Sequence, residues 1–409
     1  MLYSLYLHIP FCTHRCAYCD FNTYAGQETM IPAYVDALIR EINFIRRQIT
    51  SDQLPVSTLF FGGGTPSLLS PPQFDSILSS IRSAFALTPD PEITIEANPG
   101  TVTYEDLLRL REIGINRISF GVQSANPFEL RMLERTHTFF DVIQAVTSAR
   151  KAGFGNLNLD LIYGLPEQTL ASWRTTVRRI LDLHPEHISA YALTLEHGTP
   201  FGRWASKGLL PLPDPDLAAE MYEWLEETLE AEGYFHYEIS NWAKDESGKK
   251  KDEPRAEPSS FSLQPLSFQC RHNLQYWRSL PYLGLGAGAH GYAGGYRYSN
   301  VLRIKTYIER LTNYQFTNYP FPLSPAAVNR HRQTLEDDMS EYMLNNLRLV
   351  EAGVAEADFR SRFGRGLLEV YGREVEELLR SGLLEHQEGV YRLTPRGRLL
   401  GNQVFVRFV

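Results

Sequence analysis

Cysteine is scarce in this sequence, since its 409 residues contain four. So few thiols in so long a chain argue against a fold held together by disulfides. Basic residues are also in the minority, with 40 Lys and Arg against 48 Asp and Glu, and a net charge of −8 does not favour a nucleic-acid partner. No apolar run is long enough to cross a bilayer, and the N-terminus lacks the basic start of a signal peptide.

Three of the four cysteines lie within eight residues, as Cys12, Cys16 and Cys19 in a CxxxCxxC pattern. These gaps let one short loop turn three sulfurs toward a common centre, and thiolates are the ligands that iron–sulfur clusters select. A four-iron cluster held by three thiolates keeps one iron that can bind a small molecule. A zinc site would need a fourth ligand nearby, whereas Cys270 is remote in sequence. A chance grouping of buried cysteines is the plainer alternative, and the apolar run before the loop favours a shielded reactive centre.

Strand-like and helix-like segments alternate over the first half of the chain. The predicted strands are at 2–8, 57–61, 92–97, 117–120, 156–161 and 187–193. Amphipathic stretches lie between them, for example with Val35, Leu38 and Ile42 on one helical face. This alternation predicts an α/β fold with a parallel sheet and with ligands at the carboxyl ends of its strands. On its own, the pattern allows either a partial barrel or a doubly wound sheet.

Polar or glycine-rich residues follow several of the predicted strands. Three glycines at 62–64 follow the second strand and permit close backbone approach to a ligand. Glu96, Gln123 and Asp160 lie at or near the ends of the next three strands. Each could be a solvated loop residue or a helix cap. Their recurrence at successive strand ends favours a binding site.

The CxxxCxxC loop resembles that of radical S-adenosylmethionine (SAM) proteins, and the Gly-Gly-Gly-Thr-Pro stretch at 62–66 resembles the GGGTP motif of that family. The resemblance implies a partial (β/α)6 TIM-like barrel with a [4Fe–4S] cluster on Cys12, Cys16 and Cys19. It also implies SAM at the open iron, where one electron cleaves the sulfonium to a 5′-deoxyadenosyl radical. By the same resemblance, the SAM-contacting residues are Tyr6, Tyr18, Gly63, Gly64, Thr65, Glu96, Gln123, Arg135 and Asp160.

A second motif occurs at 270–277, where His272 is followed by Asn273, Tyr276 and Trp277. Such a string could form a packed, hydrogen-bonded corner. It also matches HNxxYW and resembles the haem chaperones called HemW, relatives of the oxygen-independent coproporphyrinogen III dehydrogenase HemN. We therefore expect His272 to contact haem through its imidazole. The histidines at 8, 197 and 290 are alternatives that the sequence does not separate.

The composition, 43% hydrophobic and 22% charged, provides for a core and about two domains. We assign 1–240 to the barrel, 241–269 to a charged, mobile insertion, 270–334 to the HNxxYW segment and a connector, and 335–409 to a C-terminal domain. In the last domain, helices are expected at 335–349, 356–363, 367–380 and 395–404, with paired strands at 383–386 and 390–393. This resembles the winged-helix-like α+β domain of the HemN/HemW group. Its 10 Arg and 13 acidic residues, with no Lys, argue against a DNA-binding role.

The residue at position 21 bears on the choice of function. HemN-type dehydrogenases extend the cluster motif to CxxxCxxCxC, but the residue two positions after Cys19 is Phe21, which cannot ligate a metal. With HNxxYW, this favours a haem chaperone that binds haem and transfers it to an unidentified acceptor protein, and it leaves open whether the chain is an enzyme. The alternatives are radical decarboxylation of coproporphyrinogen III and a cluster-bearing DNA sensor. A cluster on free thiols needs a reducing compartment, so we expect a cytoplasmic protein.

Overall fold

The computed structural model describes residues 1–49, 54–244, 268–314 and 319–409. They form two compact units, which we call unit 1 (Met1–Leu225 and Pro281–His331) and unit 2 (Glu226–Leu280 and Arg332–Val409). Most of the predicted charged insertion, at 245–267, lies outside the described residues. A search of the described part of the chain finds no helix with the length and apolar content needed to span a membrane.

The strands of the described chain are short, apart from the parallel ones that form the centre of unit 1. They are β1 (Tyr3–Ile9), β2 (Phe11–Cys12), β3 (Tyr24–Ala25), β4 (Pro55–Gly63), β5 (Ala86–Ala97), β6 (Arg117–Gln123), β7 (Leu157–Tyr163), β8 (His187–Ala192), β9 (Tyr234–Glu238), β10 (Asn241–Lys244), β11 (Tyr282–Leu285), β12 (His290–Ala293), β13 (Tyr296–Asn300), β14 (Ala327–Arg332), β15 (Val354–Ala355), β16 (Leu384–Gln387) and β17 (Val390–Leu393).

The helices connect these strands or pack as a group in the C-terminal part. They are α1 (Ile31–Gln48), α2 (Pro71–Ala84), α3 (Tyr104–Glu112), α4 (Pro127–Met132), α5 (Phe139–Lys151), α6 (Leu170–Leu181), α7 (Pro200–Ser206), α8 (Pro215–Ala231), α9 (Arg271–Trp277), α10 (Ile304–Thr312), α11 (Leu335–Asn346), α12 (Glu356–Phe363), α13 (Leu367–Arg380), α14 (Pro395–Leu399) and α15 (Gly401–Phe405).

Unit 1 is built on parallel strands that lie side by side in their sequence order, β1-β4-β5-β6-β7-β8. The six strands predicted from the alternating pattern are confirmed, as is the α/β class. On the other edge, β11 pairs with β1 in parallel, and antiparallel strands extend the sheet from there. Because the parallel strands all point the same way, the ends of β4 to β8 bring their following loops to one rim of the sheet.

Local signals in the sequence explain where individual helices begin and end. In α1, Pro32 lies in the first turn, and the residue after the helix, Ile49, is extended. The predicted capping box of α3 is present, since the Thr103 hydroxyl accepts from the backbone N–H of Asp106, and the Asp106 carboxylate accepts from that of Thr103. Such caps fix the loops between strand ends and helices, and these loops carry the site.

A buried carboxylate joins α1 to the later part of unit 1. Glu41 accepts hydrogen bonds from four groups: the Gly286 backbone N–H at 2.8 Å, Asn300 Nδ2 at 2.9 Å, Tyr307 OH at 2.6 Å and Ser324 Oγ at 2.6 Å. Burial raises the pKa of Glu41, and these four donors oppose that shift. The carboxylate therefore fixes the glycine-rich turn after β11 against α1.

Unit 2 has its own hydrophobic core and its own small sheet, of order β15-β17-β16. In it, β16 and β17 pair antiparallel across a tight turn, as the sequence predicts. The expected single helix at 395–404 is wrong, because Leu400 leaves the helical conformation at φ −105° and ψ 24° and separates α14 from α15. Elsewhere in unit 2, β9 and β10 form an antiparallel pair, so the first four residues assigned to the insertion are a strand.

Candidate functional site

The three clustered cysteines lie at the start of unit 1, where the chain leaves the sheet. Cys12 ends β2, and a turn closed by the Cys19 N–H on the Cys16 carbonyl (3.1 Å) carries the other two. All three are free thiols. Burial raises the pKa of Cys12 and of Cys19, and both shifts include repulsion from the neighbouring thiolates. The three sulfurs therefore lie close enough to influence one another electrostatically.

The surroundings of the thiols supply a hydroxyl donor that suits anionic sulfur. Among the described residues, no group of three or more His, Cys, Asp or Glu is placed to hold one metal ion. In a four-iron cluster each thiolate binds a different iron, so the thiolates need not converge on one point. The buried Thr23 hydroxyl has no hydrogen-bond partner in the described part of the chain, yet it lies near enough to lower the pKa of Cys12 and Cys19. Such a donor suits sulfur that carries negative charge.

The glycine turn after β4 packs directly against the cysteine loop. A Cβ at Gly64 would lie 2.5 Å from the Phe11 carbonyl and 3.1 Å from Cys12 Sγ. Gly63 has φ of +113°, and a Cβ there would meet the His8 ring at 2.5 Å. Only glycine permits both approaches, which explains the run of glycines physically.

Two carboxylates interact at the sheet, with Glu96 near the end of β5 and Asp160 in the middle of β7. Glu96 Oε2 accepts a hydrogen bond from the Gly63 backbone N–H at 3.0 Å. Burial, reinforced by the negative charge of Asp160, raises the pKa of Glu96 to about 7. Burial also raises the pKa of Asp160, whose carboxylate accepts from Ser119 Oγ at 2.9 Å and from Asn158 Nδ2 at 2.7 Å. A ligand with ammonium or hydroxyl donors would relieve this repulsion.

Arg135 brings positive charge to the cysteine loop. Its Nη2 donates to the Gly121 carbonyl at 2.6 Å, and its Nη1 lies 3.8 Å from Cys16 Sγ. The buried Nε of Arg135 has no acceptor among the described residues, so it is available to an anionic ligand group. Burial raises the pKa of Tyr18, and the nearby guanidinium opposes that shift.

Gln123 and Gly121 complete this side of the site. Gln123 has φ of +69°, uncommon for a residue with a side chain. A Cβ at Gly121 would lie 3.0 Å from Gln123 Nε2, 3.2 Å from Arg135 Nη2 and 3.3 Å from Asn98 Oδ1. The bare backbone of Gly121 therefore lets three polar side chains converge.

The side chain of Tyr6, on β1, lies close to Glu96. Its hydroxyl donates to His8 Nδ1 at 3.0 Å, because His8 Nε2–H already donates to the Asn22 carbonyl at 3.0 Å. Burial and the charge of Glu96 raise the pKa of Tyr6 well above its ordinary value. The chain of bonds links the barrel interior to the segment that follows Cys19.

The structure brings twelve of the predicted site residues together in unit 1: Tyr6, Cys12, Cys16, Tyr18, Cys19, Gly63, Gly64, Thr65, Glu96, Gln123, Arg135 and Asp160. Their roles toward a cluster and SAM stay predictions. Sequence reasoning missed Thr23, His8 as a partner of Tyr6, and Asn98. Asn98 could have been found, because it follows Glu96 by two residues at the same strand end.

His272 belongs to unit 2 and is placed differently. It lies on α9 with an exposed fraction of 1%, and its Nε2 shares a hydrogen bond of 2.8 Å with the Tyr276 hydroxyl. The two rings also meet edge to face, with centroids 5.0 Å apart. The packed, hydrogen-bonded corner is thus present, and the contact with haem stays a prediction.

Two sequence profiles match the chain. One, described as the Radical SAM superfamily, covers residues 6–180. The other, described as the HemN C-terminal domain, covers residues 333–400.

The chain is also similar to curated relatives over its whole length. A protein of Bacillus subtilis (strain 168) named heme chaperone HemW is 38% identical over 408 residues, which is 99% of each chain. A protein of Escherichia coli (strain K12) with the same name is 33% identical and covers 99% of this chain and 98% of its own. The solved structure of coproporphyrinogen III oxidase (HemN) from Escherichia coli superposes with a TM-score of 0.79, at 24% identity, over 100% of this chain and 89% of that one. This likeness supports the fold alone.

Proposed function

The chain belongs to the radical SAM superfamily, in the group of the HemW proteins, and from this premise we propose that it is a haem chaperone. It would bind haem and transfer it to an acceptor protein, while carrying a [4Fe–4S] cluster and SAM. The observation that carries the proposal is the full-length similarity to relatives named heme chaperone HemW. Phe21 supports it, because a ring that is 68% exposed stands where the dehydrogenase motif has a fourth cysteine.

Cys12, Cys16 and Cys19 would hold the cluster, with the Thr23 hydroxyl beside two of the thiolates. A [4Fe–4S] cluster with one iron free of protein ligands supplies a binding site for SAM and one electron to its sulfonium. Gly64 keeps the turn after β4 in contact with this loop. The glycine turn would thus sit beside both the cluster and the bound SAM.

The remaining residues would orient SAM by charge. Glu96 and Asp160 would accept hydrogen bonds from its ammonium and ribose hydroxyl groups, and each such bond would favour the ionised carboxylates. Arg135 would donate from Nε to the carboxylate of SAM, since that N–H has no other acceptor among the described residues. Tyr6 and Gln123 would close the site on either side.

The haem ligand is proposed separately from the cluster site. His272 remains our first choice, but its Nε2 would have to leave Tyr276 before that nitrogen could bind iron. His8 is held on both ring nitrogens by Tyr6 and Asn22. The side chains of His197 and His290 are exposed, and they are the alternatives to test.

The test is a haem titration of the cluster-loaded protein under anaerobic conditions, followed through the Soret band. We expect saturable binding, and a lower affinity in His272→Ala. His386→Ala is the matched control, because that exposed histidine also belongs to unit 2 and pairs with Glu356. If His197→Ala or His290→Ala lowers the affinity instead, the ligand is reassigned and the chaperone proposal stands.

A second experiment distinguishes a haem chaperone from a coproporphyrinogen III dehydrogenase. Cluster-loaded protein would be incubated with SAM, dithionite and coproporphyrinogen III, and the products would be analysed. Protoporphyrinogen IX formed together with 5′-deoxyadenosine would overturn the chaperone proposal, as would the absence of a Soret band in cluster-replete protein. As part of the proposal, we place the protein in the cytoplasm, where reducing conditions keep the three thiols available.

A further inference from the structure

A continuous line of side chains connects Arg135 to Cys12. The guanidinium Nη2 of Arg135 lies 2.5 Å from Asn98 Oδ1. On the other side of the amide, Asn98 Nδ2 lies 2.9 Å from Thr65 Oγ1. The same Thr65 oxygen lies 3.6 Å from Cys12 Sγ. The line of contacts thus joins residues from three separate loops and ends at the Cys12 thiol.

The hydrogens along this line can have only one direction. A guanidinium has donors and no acceptor, so the Asn98 atom facing Arg135 must be the carbonyl oxygen. The amide NH₂ therefore faces Thr65 and donates to its oxygen. The Thr65 hydroxyl has a single hydrogen, and Cys12 Sγ is the acceptor that remains for it.

Arg135 also acts on a second cysteine directly. Its Nη1–H points to Cys16 Sγ at 3.8 Å, within the range for a hydrogen bond to sulfur. One cation therefore faces two of the three thiols, the first across 3.8 Å and the second through an amide and a hydroxyl. Bonds aligned in one direction polarise one another and strengthen the last donor.

We propose that Asn98 is a positioning residue that directs the Thr65 hydroxyl onto the Cys12 thiolate, and that this line of donors raises the reduction potential of the cluster. The inference rests on the proposed cluster, and it assigns a task to two residues near it. One-electron reduction increases the negative charge on the sulfurs. Donors to those sulfurs therefore stabilise the reduced form more than the oxidised form.

The side chain of Asn98 can be changed without removing its other contact. The Asn98 backbone carbonyl accepts from the Thr101 N–H at 3.1 Å and the Thr101 hydroxyl at 2.7 Å, and so holds the turn after β5. Substitution of the side chain leaves that carbonyl in place. Asn98→Ala thus breaks the line of donors with little effect on the turn.

The test is a spectroelectrochemical titration of reconstituted protein without SAM, with iron counted on each sample. Thr65→Val should make the midpoint potential more negative, so that the reduced-to-oxidised ratio at a fixed potential falls about tenfold, or about 59 mV for one electron. Asn98→Ala should shift it in the same direction by less. Thr65→Ser, which keeps the hydroxyl, should have the same midpoint potential as the wild type.

The double variant provides the sharpest readout. In the proposed line Asn98 reaches Cys12 through Thr65, and Arg135 keeps its bond to the Gly121 carbonyl when Asn98 is replaced. Adding Asn98→Ala to Thr65→Val should therefore cause no further shift. A packing role predicts additive losses of iron instead. Asn116→Ala is the matched control, since the side chain of that asparagine bonds to the backbone at residues 91 and 93 and should leave the potential unchanged.

The outcomes separate this inference from the function. If the wild-type protein binds no iron, the proposed cluster fails. If iron content is normal and the potentials of Thr65→Val and Asn98→Ala equal that of the wild type, the inference is overturned and the cluster stands. If Thr65→Val loses its iron, the potential of Asn98→Ala decides.

Discussion

Two regions of unit 1 are each built around a glutamate, and they treat it in opposite ways. Around Glu41, four neutral donors from the distant segment 286–324 converge on the carboxylate. Around Glu96, the Gly63 N–H donates one hydrogen bond, Asp160 adds repulsion, and the positive charge of Arg117 offsets part of it. Both carboxyls have a raised pKa because of burial.

The difference distinguishes a structural carboxylate from one prepared for a ligand. Glu41 has its hydrogen-bonding capacity filled within the fold, so its burial is compensated. The desolvation of Glu96 and its repulsion with Asp160 are only partly compensated, and an incoming cation or hydroxyl group could relieve them. The pair of Glu96 and Asp160 lowers the free energy of unfolding, and such a loss of stability is typical of a binding site.

The largest effect should come from Glu41→Ala, which leaves four donors without their acceptor. We expect the free energy of unfolding to fall by ~4 kcal/mol or more, since each unsatisfied buried donor costs about 1–3 kcal/mol. Urea denaturation of the apo-protein measures it. Asp36→Ala, on the exposed face of the same helix, is the control and should change little. A loss below about 1 kcal/mol in Glu41→Ala would contradict the structural role.

Glu96→Gln should act in the opposite sense on stability. The amide oxygen still accepts from the Gly63 N–H, and the neutral side chain is not repelled by Asp160. The free energy of unfolding of the apo-protein should therefore rise by ~1–2 kcal/mol at pH 8. SAM affinity, measured by equilibrium dialysis on cluster-loaded protein, should fall roughly 10- to 100-fold, because a charge-assisted hydrogen bond is lost. An unchanged SAM affinity would remove Glu96 from the binding site.

The pH dependence gives a sharper form of the same contrast. Glu96 has a pKa of about 7 in the folded protein against 4.5 ordinarily, so the folded state holds more protons between these values. The free energy of unfolding therefore falls as pH rises through this window because of Glu96. The stability difference between Glu96→Gln and wild type should grow from pH 5.5 to pH 8 and level off above. A difference that is constant with pH would show that Glu96 titrates normally.

The smallest effects should come from a matched pair of serines. Ser324 donates to Glu41 and Ser119 donates to Asp160, each through its hydroxyl. Replacing either by Ala should cost about 1 kcal/mol of unfolding free energy. Only Ser119→Ala should also change SAM affinity, by a few-fold. If Ser324→Ala changes SAM affinity equally, the two regions are not functionally distinct.

Much of the fold follows from the sequence because its signals are local. The alternation of strands and helices predicts the six parallel strands β1 and β4 to β8 but misses β11, which pairs with β1 in parallel, and the three glycines mark the turn against Cys12. The break at Leu400 was not predicted, although the next residue is Gly401 and glycine is a common signal for the end of a helix. The HNxxYW motif is conspicuous in the sequence, but its histidine proves to be packed against Tyr276.

The parts that sequence reasoning missed depend on contacts between distant segments. Glu41 reads as one polar residue on an apolar helix face, and its partners lie more than 240 residues away. The line from Arg135 through Asn98 to Thr65 joins loops that only the parallel sheet brings together. Neither arrangement has a local pattern. Both depend on which strand ends become neighbours.

The most direct test of the whole account is the iron and sulfide content of anaerobically reconstituted protein. The wild type should hold about four of each per chain. Cys12→Ala, Cys16→Ala and Cys19→Ala should each lose most of both, while Cys270→Ala, which changes the remaining cysteine, should keep them. A wild type that binds zinc in preference to iron, or an iron content equally indifferent to all four substitutions, would contradict the account.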